Sequence, residues 1–235
     1  MGIDKPAHDG LDGGVNVRSS LSMMVLWLMA AVCLADDGGQ GWTIIERNRG
    51  ITVSRRVQPG CALPSFRGQG RIEGNVVQLL AVMLDLDHVG AWANGVSVSR
   101  PIKRLDARTN LVYLTSDLPW PIRDRDMIVR AEVEVLRPAE EFRITLGCEP
   151  GAQAERSGVI RVKRCHSTFH LRQVDAKTTE IDYVMTLDPA GYLPAWSSEM
   201  VTKSTPFKTL VALEERAAAS MGKYTAAVRT WSSAM

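Results

Sequence analysis

The sequence predicts an α+β domain in which a curved antiparallel sheet is covered by one long C-terminal helix. Between residues 96 and 187, segments of alternating apolar and polar residues are separated by turn signals about every ten residues, which is typical of an antiparallel sheet. The alternation leaves the sheet with one apolar and one polar face, and the apolar face must be covered. After Pro194, a run with apolar residues at helical spacing supplies that cover.

The composition fits one globular domain and argues against nucleic-acid binding. The chain has 235 residues, long enough to bury a sizeable core. Its Lys and Arg residues are scattered, the formal net charge is +2, and aromatic residues make up only 6%. Neither a basic stripe for phosphates nor an aromatic platform for bases is indicated. We therefore predict no nucleic-acid partner.

The N-terminal segment 1–35 differs from the rest. Residues 1–23 are rich in Gly and Asp, and the run "MMVLWLMAAVCLA" to Ala35 is apolar throughout. The run is short for a bilayer span but matches the core of a signal peptide, with Cys33 and Ala35 at the two small-residue positions before a cleavage site. We expect residues 1–35 to be a leader and the mature protein to be exported, either periplasmic or secreted. An uncleaved membrane anchor is the alternative.

Local patterns predict the remaining elements in order. "GWTIIERN" indicates a short amphipathic helix, which a turn at Gly50 separates from a strand at 51–57. "SFRGQGRIEG" indicates a strand whose glycines allow a sharp bend. "NVVQLLAVMLDLDHVGAWANGV" has apolar residues at three- and four-residue steps, with Asn75 as the cap, and indicates a helix. In the C-terminal helix, "PAWSSEMVTKSTPFKTLVALEERAAASM", we expect a bend near Pro206.

The cysteines after the leader are odd in number: Cys61, Cys148 and Cys165. The last two flank a predicted hairpin whose turn lies near "EPGAQAERSG". Counting outward from that turn places Cys148 opposite a residue near Val159, and a disulfide needs Cα atoms within about 7 Å of each other. We therefore predict free, buried thiols that act as small apolar groups.

The apolar face of the sheet is rich in small and flexible side chains. In "MIVRAEVEV", the residues Met127, Val129, Ala131, Val133 and Val135 share one face. The strand "EIDYVMTL" places Tyr183 and Met185 on the corresponding face, and "EFRITLG" places Ile144 there. Small side chains on a curved sheet leave room for a ligand, although this pattern alone fits an ordinary core equally well.

Three motifs, taken in order, resemble the StAR-related lipid-transfer (START) domain family. They are "LPWPIRDRDMIVR", "ERSGVIRVKR" and "YVMTLDPAGYLPAW" with the helix that follows. The second motif resembles the return strand of the family's hairpin. In addition, Trp92 matches a tryptophan after the family's central helix. The resemblance covers residues 41–221 and leaves 222–235 as a tail. It implies a helix-grip fold: a curved antiparallel sheet around a hydrophobic tunnel that is closed by the C-terminal helix and holds one lipid or sterol-like molecule. It implies no cofactor and no catalysis.

Departures from the family pattern narrow the expected ligand. By the family resemblance, phosphatidylcholine-binding members carry an Arg that holds the phosphate at the position of Val89. They also carry aromatic residues that surround the choline at the positions of Met83, Gly95 and Val129. The acidic–basic pair of cholesterol-carrying members would fall near Val112 and Ala131, and is also missing. A choline cation without aromatic or anionic partners would be unfavourable. Sterols, carotenoids, fatty acyl chains or polyketides therefore fit better than zwitterionic phospholipids.

The candidate ligand-binding residues combine the apolar strand faces, the central helix and the lid helix. The last three in the sequence form the predicted ceiling on the lid helix. The set is Met83, Val112, Val129, Ala131, Val133, Ile144, Ser167, Tyr183, Met185, Trp196, Met200 and Phe207.

No catalytic or metal site is predicted. On one strand, His166 and His170 would lie about 13 Å apart, too far to share an ion. Ser167 and Tyr183 are the inward polar residues on which the alternative function, a polyketide aromatase/cyclase-like enzyme on the same fold, would depend. A sensor or interaction module with a vestigial pocket is a third hypothesis. As partners we expect a hydrophobic small molecule or lipid and transient membrane contact near Lys203 and Lys208, with the protein a monomer.

The charged run Arg123 to Asp126 follows a Pro-Trp-Pro turn. We predict that Trp120 packs as the anchor of this turn, because the prolines on either side cannot join the strand ladder. Arg125 and Asp126 are expected at the solvent end of the next strand, where they tie the turn to neighbouring backbone. This structural role is favoured over acid–base chemistry, which would need an opposed partner in a cleft.

Overall fold

The computed structural model describes residues 41–58, 63–194, 204–220 and 222–224. Its strands are β1 (Thr43–Asn48), β2 (Ile51–Arg56), β3 (Ser65–Glu73), β4 (Val98–Arg104), β5 (Thr109–Ser116), β6 (Arg125–Arg137), β7 (Glu141–Cys148), β8 (Ile160–Arg161), β9 (Arg164–Asp175) and β10 (Thr178–Asp188). Its helices are α1 (Val76–Met83), the 3₁₀ helices Leu86–Ala91 and Pro150–Ala152, and α2 (Thr205–Ala219).

The described strands form one sheet with the order β1-β2-β3-β10-β9-β7-β6-β5-β4, and β8 pairs with β6 off this path. All neighbours along the order are antiparallel, whereas β8 runs parallel to β6. Helix α2 packs on β3, β2, β10 and α1. The prediction of an α+β helix-grip fold, with a curved antiparallel sheet and a covering C-terminal helix, is confirmed. No helix of the described residues is long and apolar enough to cross a membrane.

Helix α1 forms where the apolar periodicity placed it. The Asn75 side chain accepts a hydrogen bond from the backbone N–H of Val77 at 2.9 Å, which caps the first turn. The predicted helix divides after Met83, and a 3₁₀ segment continues it as far as Ala91, just before Trp92. Gly90 permits a close approach here, because a Cβ at this position would lie 2.9 Å from the carbonyl oxygen of Val96.

The segment predicted as an N-terminal amphipathic helix is strand β1, so that prediction is wrong. Arg49 and Gly50 both have positive φ values, of 49° and 73°, and form a two-residue hairpin turn. The turn pairs β1 with β2 in an antiparallel register. A six-residue apolar–polar pattern fits either structure, and the pairing across the turn decides for the strand.

Helix α2 begins at Thr205, with Pro206 in its first turn. Proline suits this position because its missing N–H would have no partner inside the helix. The predicted bend near Pro206 requires the helix to continue upstream, and residues 195–203 lie outside the described residues. Leu210 and Leu213 of α2 are fully buried, which confirms the helix as a cover for the sheet.

Cys148 and Cys165 form a disulfide with their Cα atoms 5.1 Å apart, so the prediction of free thiols is wrong for this pair. The two cysteines end β7 and begin β9, whose register places Gly147 opposite His166. Residues 149–163 do not form a tight hairpin, because they include a 3₁₀ turn and β8, which leaves to pair with β6. The sequence "GVIRVK" therefore supplies β8 and not the return strand, and counting outward from a presumed turn gave the wrong register. Cys61 lies outside the described residues.

Arg125 and Asp126 are buried, not at the solvent end of β6, with exposures of 2% and 0%. Arg125 does tie the turn to neighbouring backbone, since it donates to the carbonyl oxygens of Pro189 and Ala190 at 3.2 and 3.0 Å. Asp126 accepts two hydrogen bonds from Arg161, at 2.8 and 2.9 Å. The second half of the charged run therefore lies inside the fold, and Asp126 can be buried there because β8 brings the matching cation Arg161 to it.

Trp120 does not anchor the Pro-Trp-Pro turn, because its side chain is 91% exposed. Ile122 is buried at the same turn and provides the apolar contact that was expected of the tryptophan. The turn is further held by the Asp124 carboxylate, which accepts a hydrogen bond from the backbone N–H of Leu118 at 2.9 Å. The exposure of Trp120 leaves a large aromatic side chain available at the surface.

Candidate functional site

An apolar cavity of about 50 Å³ lies between the helical segment 83–92 and the inner face of the sheet. Its helical wall begins at the last residue of α1 and ends just after the 3₁₀ helix, and its sheet wall comes from β5, β6, β7 and β9. The lining residues are Met83, Leu84, Leu86, Val89, Trp92, Val112, Leu114, Val129, Ala131, Ile144, Leu146 and Phe169.

The strand register explains why the sheet wall is continuous. Val112 on β5 lies opposite Val129 on β6, and Ala131 on β6 lies opposite Leu146 on β7. Directly opposed residues in an antiparallel pair project to the same face of the sheet, so these side chains meet. Ile144 on β7 is likewise opposite Phe169 on β9, which extends the wall across a fourth strand.

Five of the predicted binding residues line this cavity. They are Met83, Val112, Val129, Ala131 and Ile144. Val133 is buried two residues further along β6 and lines a neighbouring cleft with Leu84 and Leu86. Trp196 and Met200 lie outside the described residues.

The other predicted residues that the structure describes do not line the cavity. Phe207 is on α2 and packs half-buried against the core. Tyr183 and Met185 are buried on β10, which α2 contacts, and neither is among the residues that line the cavity. Ser167 lies opposite Met185 on β9.

Tyr183 is held by packing and hydrogen bonds. Its ring stacks on Phe169 with the ring centres 4.0 Å apart, and its hydroxyl donates towards the Met185 Sδ at 3.5 Å. Burial raises the pKa of Tyr183 well above its ordinary value, and a hydrogen bond with Ser167 opposes this only in part. The phenol therefore stays protonated at neutral pH and cannot act as a base there.

The candidate set omitted most of the helical wall and three residues of the sheet wall, Leu114, Leu146 and Phe169. Leu84 and Leu86 fall where the predicted helix divides, so helical periodicity does not place them on one face. Phe169 carried a usable signal, because it lies directly opposite Tyr183 once β9 and β10 are paired. Val89 and Trp92 are marked in the sequence only by their match to positions of the family pattern.

The cavity is small compared with ligand pockets, which typically measure roughly 300–1,000 Å³. About 10–15 Å³ of such space is enough for one water molecule, so the cavity in its present form has room for a few waters and not for a lipid. A lipid-sized ligand requires the walls to move apart.

Comparisons with known proteins agree with this architecture. An uncharacterized protein of Pseudomonas aeruginosa is 26% identical over 207 residues, which cover 86% of this chain and 98% of that protein. The phosphatidylcholine transfer protein of mouse is 24% identical over 170 residues, or 71% of this chain and 78% of that protein. The crystal structure of a STAR-related lipid transfer protein fragment from Xanthomonas axonopodis superposes with a TM-score of 0.68 at 26% identity, covering 76% of this chain and 99% of that one. The family model described as "START domain" matches residues 28–219, and the chain belongs to the START domain family.

Proposed function

We propose that the protein binds one hydrophobic molecule in the apolar cavity and transfers it through an aqueous compartment. The observation that carries this proposal is the wall of twelve apolar side chains beneath the covering helices of a START fold. Removing apolar ligand surface from water contributes about 25 cal/mol per Å², so shape and burial alone can hold a lipid-sized molecule. The similarity to a phosphatidylcholine transfer protein supports transfer as well as binding.

The character of the wall supports an apolar ligand rather than a zwitterionic phospholipid. Val89, Met83 and Val129 line the cavity at positions where the family resemblance implies phosphate and choline contacts. Val112 and Ala131 line it where that resemblance implies an ion pair. None of the five can neutralise a headgroup charge, and burying an unpaired charge is strongly unfavourable. Sterols, carotenoids, acyl chains and polyketides remain the candidate classes.

Native mass spectrometry of the protein purified from its own host tests this function. We expect an adduct of lipid-like mass that is released as an organic-soluble molecule on denaturation. Protein denatured and refolded without lipid serves as the control and should regain an adduct when offered a panel of sterols, fatty alcohols and acyl lipids. A protein that carries no adduct from the host and takes none from the panel would contradict the proposal and favour an interaction module with a vestigial pocket.

The proposal includes no catalytic step. Tyr183 and Ser167, on which a polyketide cyclase would depend, are not among the residues that line the cavity, and burial keeps the Tyr183 phenol protonated. The same mass spectra distinguish the two functions. A carrier returns the bound molecule with its mass unchanged after prolonged incubation, whereas a cyclase returns one that has lost water.

We propose that the turn around Trp120 makes transient membrane contact. Trp120 is 91% exposed and Tyr192 is 83% exposed. Arg125 joins their two loops, since its Nη2 donates to the carbonyl oxygens of Ala190 and Tyr192 at 3.0 and 3.4 Å. Trp and Tyr side chains favour the interface between water and lipid. Lys208 on α2 is also exposed, whereas Lys203 lies outside the described residues.

Trp120→Ala is expected to weaken binding to phosphatidylglycerol-containing vesicles by about tenfold, because a buried aromatic side chain supplies about that much affinity. Co-sedimentation with vesicles measures the effect. Val57→Ala removes another exposed apolar side chain, 75% exposed beside β2, and should leave vesicle binding unchanged. Equal binding by both variants and the wild type would remove Trp120 from the membrane contact.

We also propose that the mature protein is exported and acts as a monomer. The Cys148–Cys165 disulfide supports an oxidising compartment, and the apolar run ending at Ala35 supports a leader. Because one chain supplies the cavity wall, the site needs no second copy. The native spectrum described above also tests this: we expect a monomer whose chain begins at Asp36 with Cys148 and Cys165 oxidised. A full-length chain with reduced thiols would contradict export.

A further inference from the structure

Trp92 is chemically distinct within the cavity wall. Among the twelve described side chains that line the cavity, its indole is the one group that carries a hydrogen-bond donor. The side chain is 5% exposed, and its Nε1–H has no acceptor among the described residues. Buried tryptophan N–H groups usually have an acceptor, because a donor that is removed from water without one is unfavourable.

The position of the indole is set by rigid neighbours. Its ring meets Phe169 edge-on, with the ring centres 6.0 Å apart and the planes at 76°. Its backbone N–H donates to the carbonyl oxygen of Val89 at 3.1 Å, which closes the 3₁₀ helix. Phe169 is itself stacked on Tyr183. A donor held in this way is pre-organised, so a ligand acceptor that reaches it forms the bond at little cost in side-chain ordering.

We propose that Trp92 selects ligands that carry an uncharged hydrogen-bond acceptor, such as a hydroxyl, ketone or ester oxygen, on an otherwise apolar body. The Nε1–H would donate to that oxygen. This inference rests on the proposed function and narrows its ligand class. Pure hydrocarbons would leave the donor unsatisfied, and a carboxylate would be buried in a wall without a described cation. The preferred ligand is therefore amphiphilic and neutral.

The test compares two ligands that differ only in the acceptor: a long-chain methyl ketone and the alkane of equal chain length. Displacement of a fluorescent acyl probe measures both affinities. The wild type is expected to bind the ketone about tenfold more tightly than the alkane, which is the discrimination of one buried hydrogen bond. Trp92→Phe should bind the ketone and the alkane with equal affinity, because phenylalanine keeps an aromatic side chain in the wall and lacks the donor.

Leu114→Met is the matched control. It alters another side chain of the cavity wall and keeps both the Trp92 donor and its neighbour Phe169, so the preference for the ketone should persist even if both affinities fall. A second measurement needs no variant: the indole ¹H–¹⁵N resonance of Trp92 in the wild type should shift downfield with the ketone and not with the alkane.

The outcomes distinguish a failure of the proposed role of Trp92 from a failure of the proposed carrier function. The role of Trp92 is overturned, and the carrier function is not, if the wild type binds ketone and alkane equally. The same holds if the indole resonance does not shift when the ketone is added. Failure of both ligands to bind overturns the carrier function for these ligand classes and the role of Trp92 with it. Loss of the ketone preference in Trp92→Phe alone, with the downfield shift in the wild type, supports both.

Discussion

Asp126→Asn is expected to lower the free energy of unfolding by about 3–5 kcal/mol, the usual cost of breaking a buried ion pair by removing one partner. Asp126 and Arg161 have side-chain exposures of 0% and 1% and share two hydrogen bonds. Asparagine keeps the shape of the side chain but leaves the Arg161 guanidinium uncompensated. The remaining guanidinium contacts are backbone carbonyl oxygens, including those of Pro150 and Gln153 at 2.9 and 3.0 Å, and these do not neutralise its charge. Urea unfolding followed by circular dichroism measures the change.

Glu134→Gln is the matched control on the same strand. Glu134 accepts from Arg143 at 2.8 Å, but the two side chains are 55% and 43% exposed, so water screens the pair. The expected loss is within about 1 kcal/mol. If Asp126→Asn cost no more than this control, the buried pair would not stabilise the fold.

The effect of Asp126→Asn should also depend on pH. Burial by itself would raise the pKa of Asp126, but the hydrogen bonds and positive charge of Arg161 outweigh it and hold the pKa below its ordinary value. A carboxyl group whose pKa is lower in the folded state contributes stability above its unfolded pKa of about 3.9 and loses it as the pH falls through the folded value. The gap between wild type and variant should therefore be constant near neutral pH and narrow in acid. A gap independent of pH down to the acid transition would contradict this ionisation.

Ala131→Leu is expected to weaken ligand binding by about tenfold to a hundredfold, because the isobutyl group and the ligand compete for the same space. Ala131 is 7% exposed and lies in the middle of the sheet wall, opposite Leu146. The cavity measures about 50 Å³, so the larger side chain has existing space to enter and stability should stay within about 1 kcal/mol of the wild type. Displacement of a fluorescent acyl probe and urea unfolding give the two readings.

Val135→Leu provides the comparison for Ala131→Leu. Val135 belongs to the same strand and the same face, packs half-buried against the core and does not line the cavity. It should bind ligand as the wild type does. Undiminished binding by Ala131→Leu would place the ligand elsewhere in the fold, and Val129→Leu, on the same wall, guards against a folding defect particular to residue 131.

Several elements could be predicted from the sequence because their signals are local. The alternation in β6 placed Val129 and Ala131 on the inner face, and both line the cavity. The cap at Asn75 and the apolar periodicity behind it placed α1. In each case the physical cause acts within a few residues: side chains alternate across a strand, and a side-chain oxygen satisfies an amide at a helix start.

Other features depended on partners distant in sequence. The alternating charges of Arg125 and Asp126 are typical of a solvated strand end, and they are buried because β8 brings Arg161 alongside. Likewise, β1 has a pattern that fits a helix and becomes a strand because β2 supplies its hydrogen bonds. The disulfide follows from the pairing of β7 with β9, which the length of the intervening loop does not reveal.

By itself, the sequence determined the α+β class, the apolar face of the sheet, the first helix and the motif order that marks the family, since each depends on periodicity or on neighbouring residues. The tertiary structure decided which apolar residues enclose the cavity and which only pack. Met83 and Ala131 line it, whereas Tyr183 and Met185, on an equally apolar strand face, are buried on β10 without lining it. The physical reason is that an apolar pattern indicates only which face of the sheet must be buried. The packing of the helices against that face determines where the side chains fill the space and where they leave a cavity.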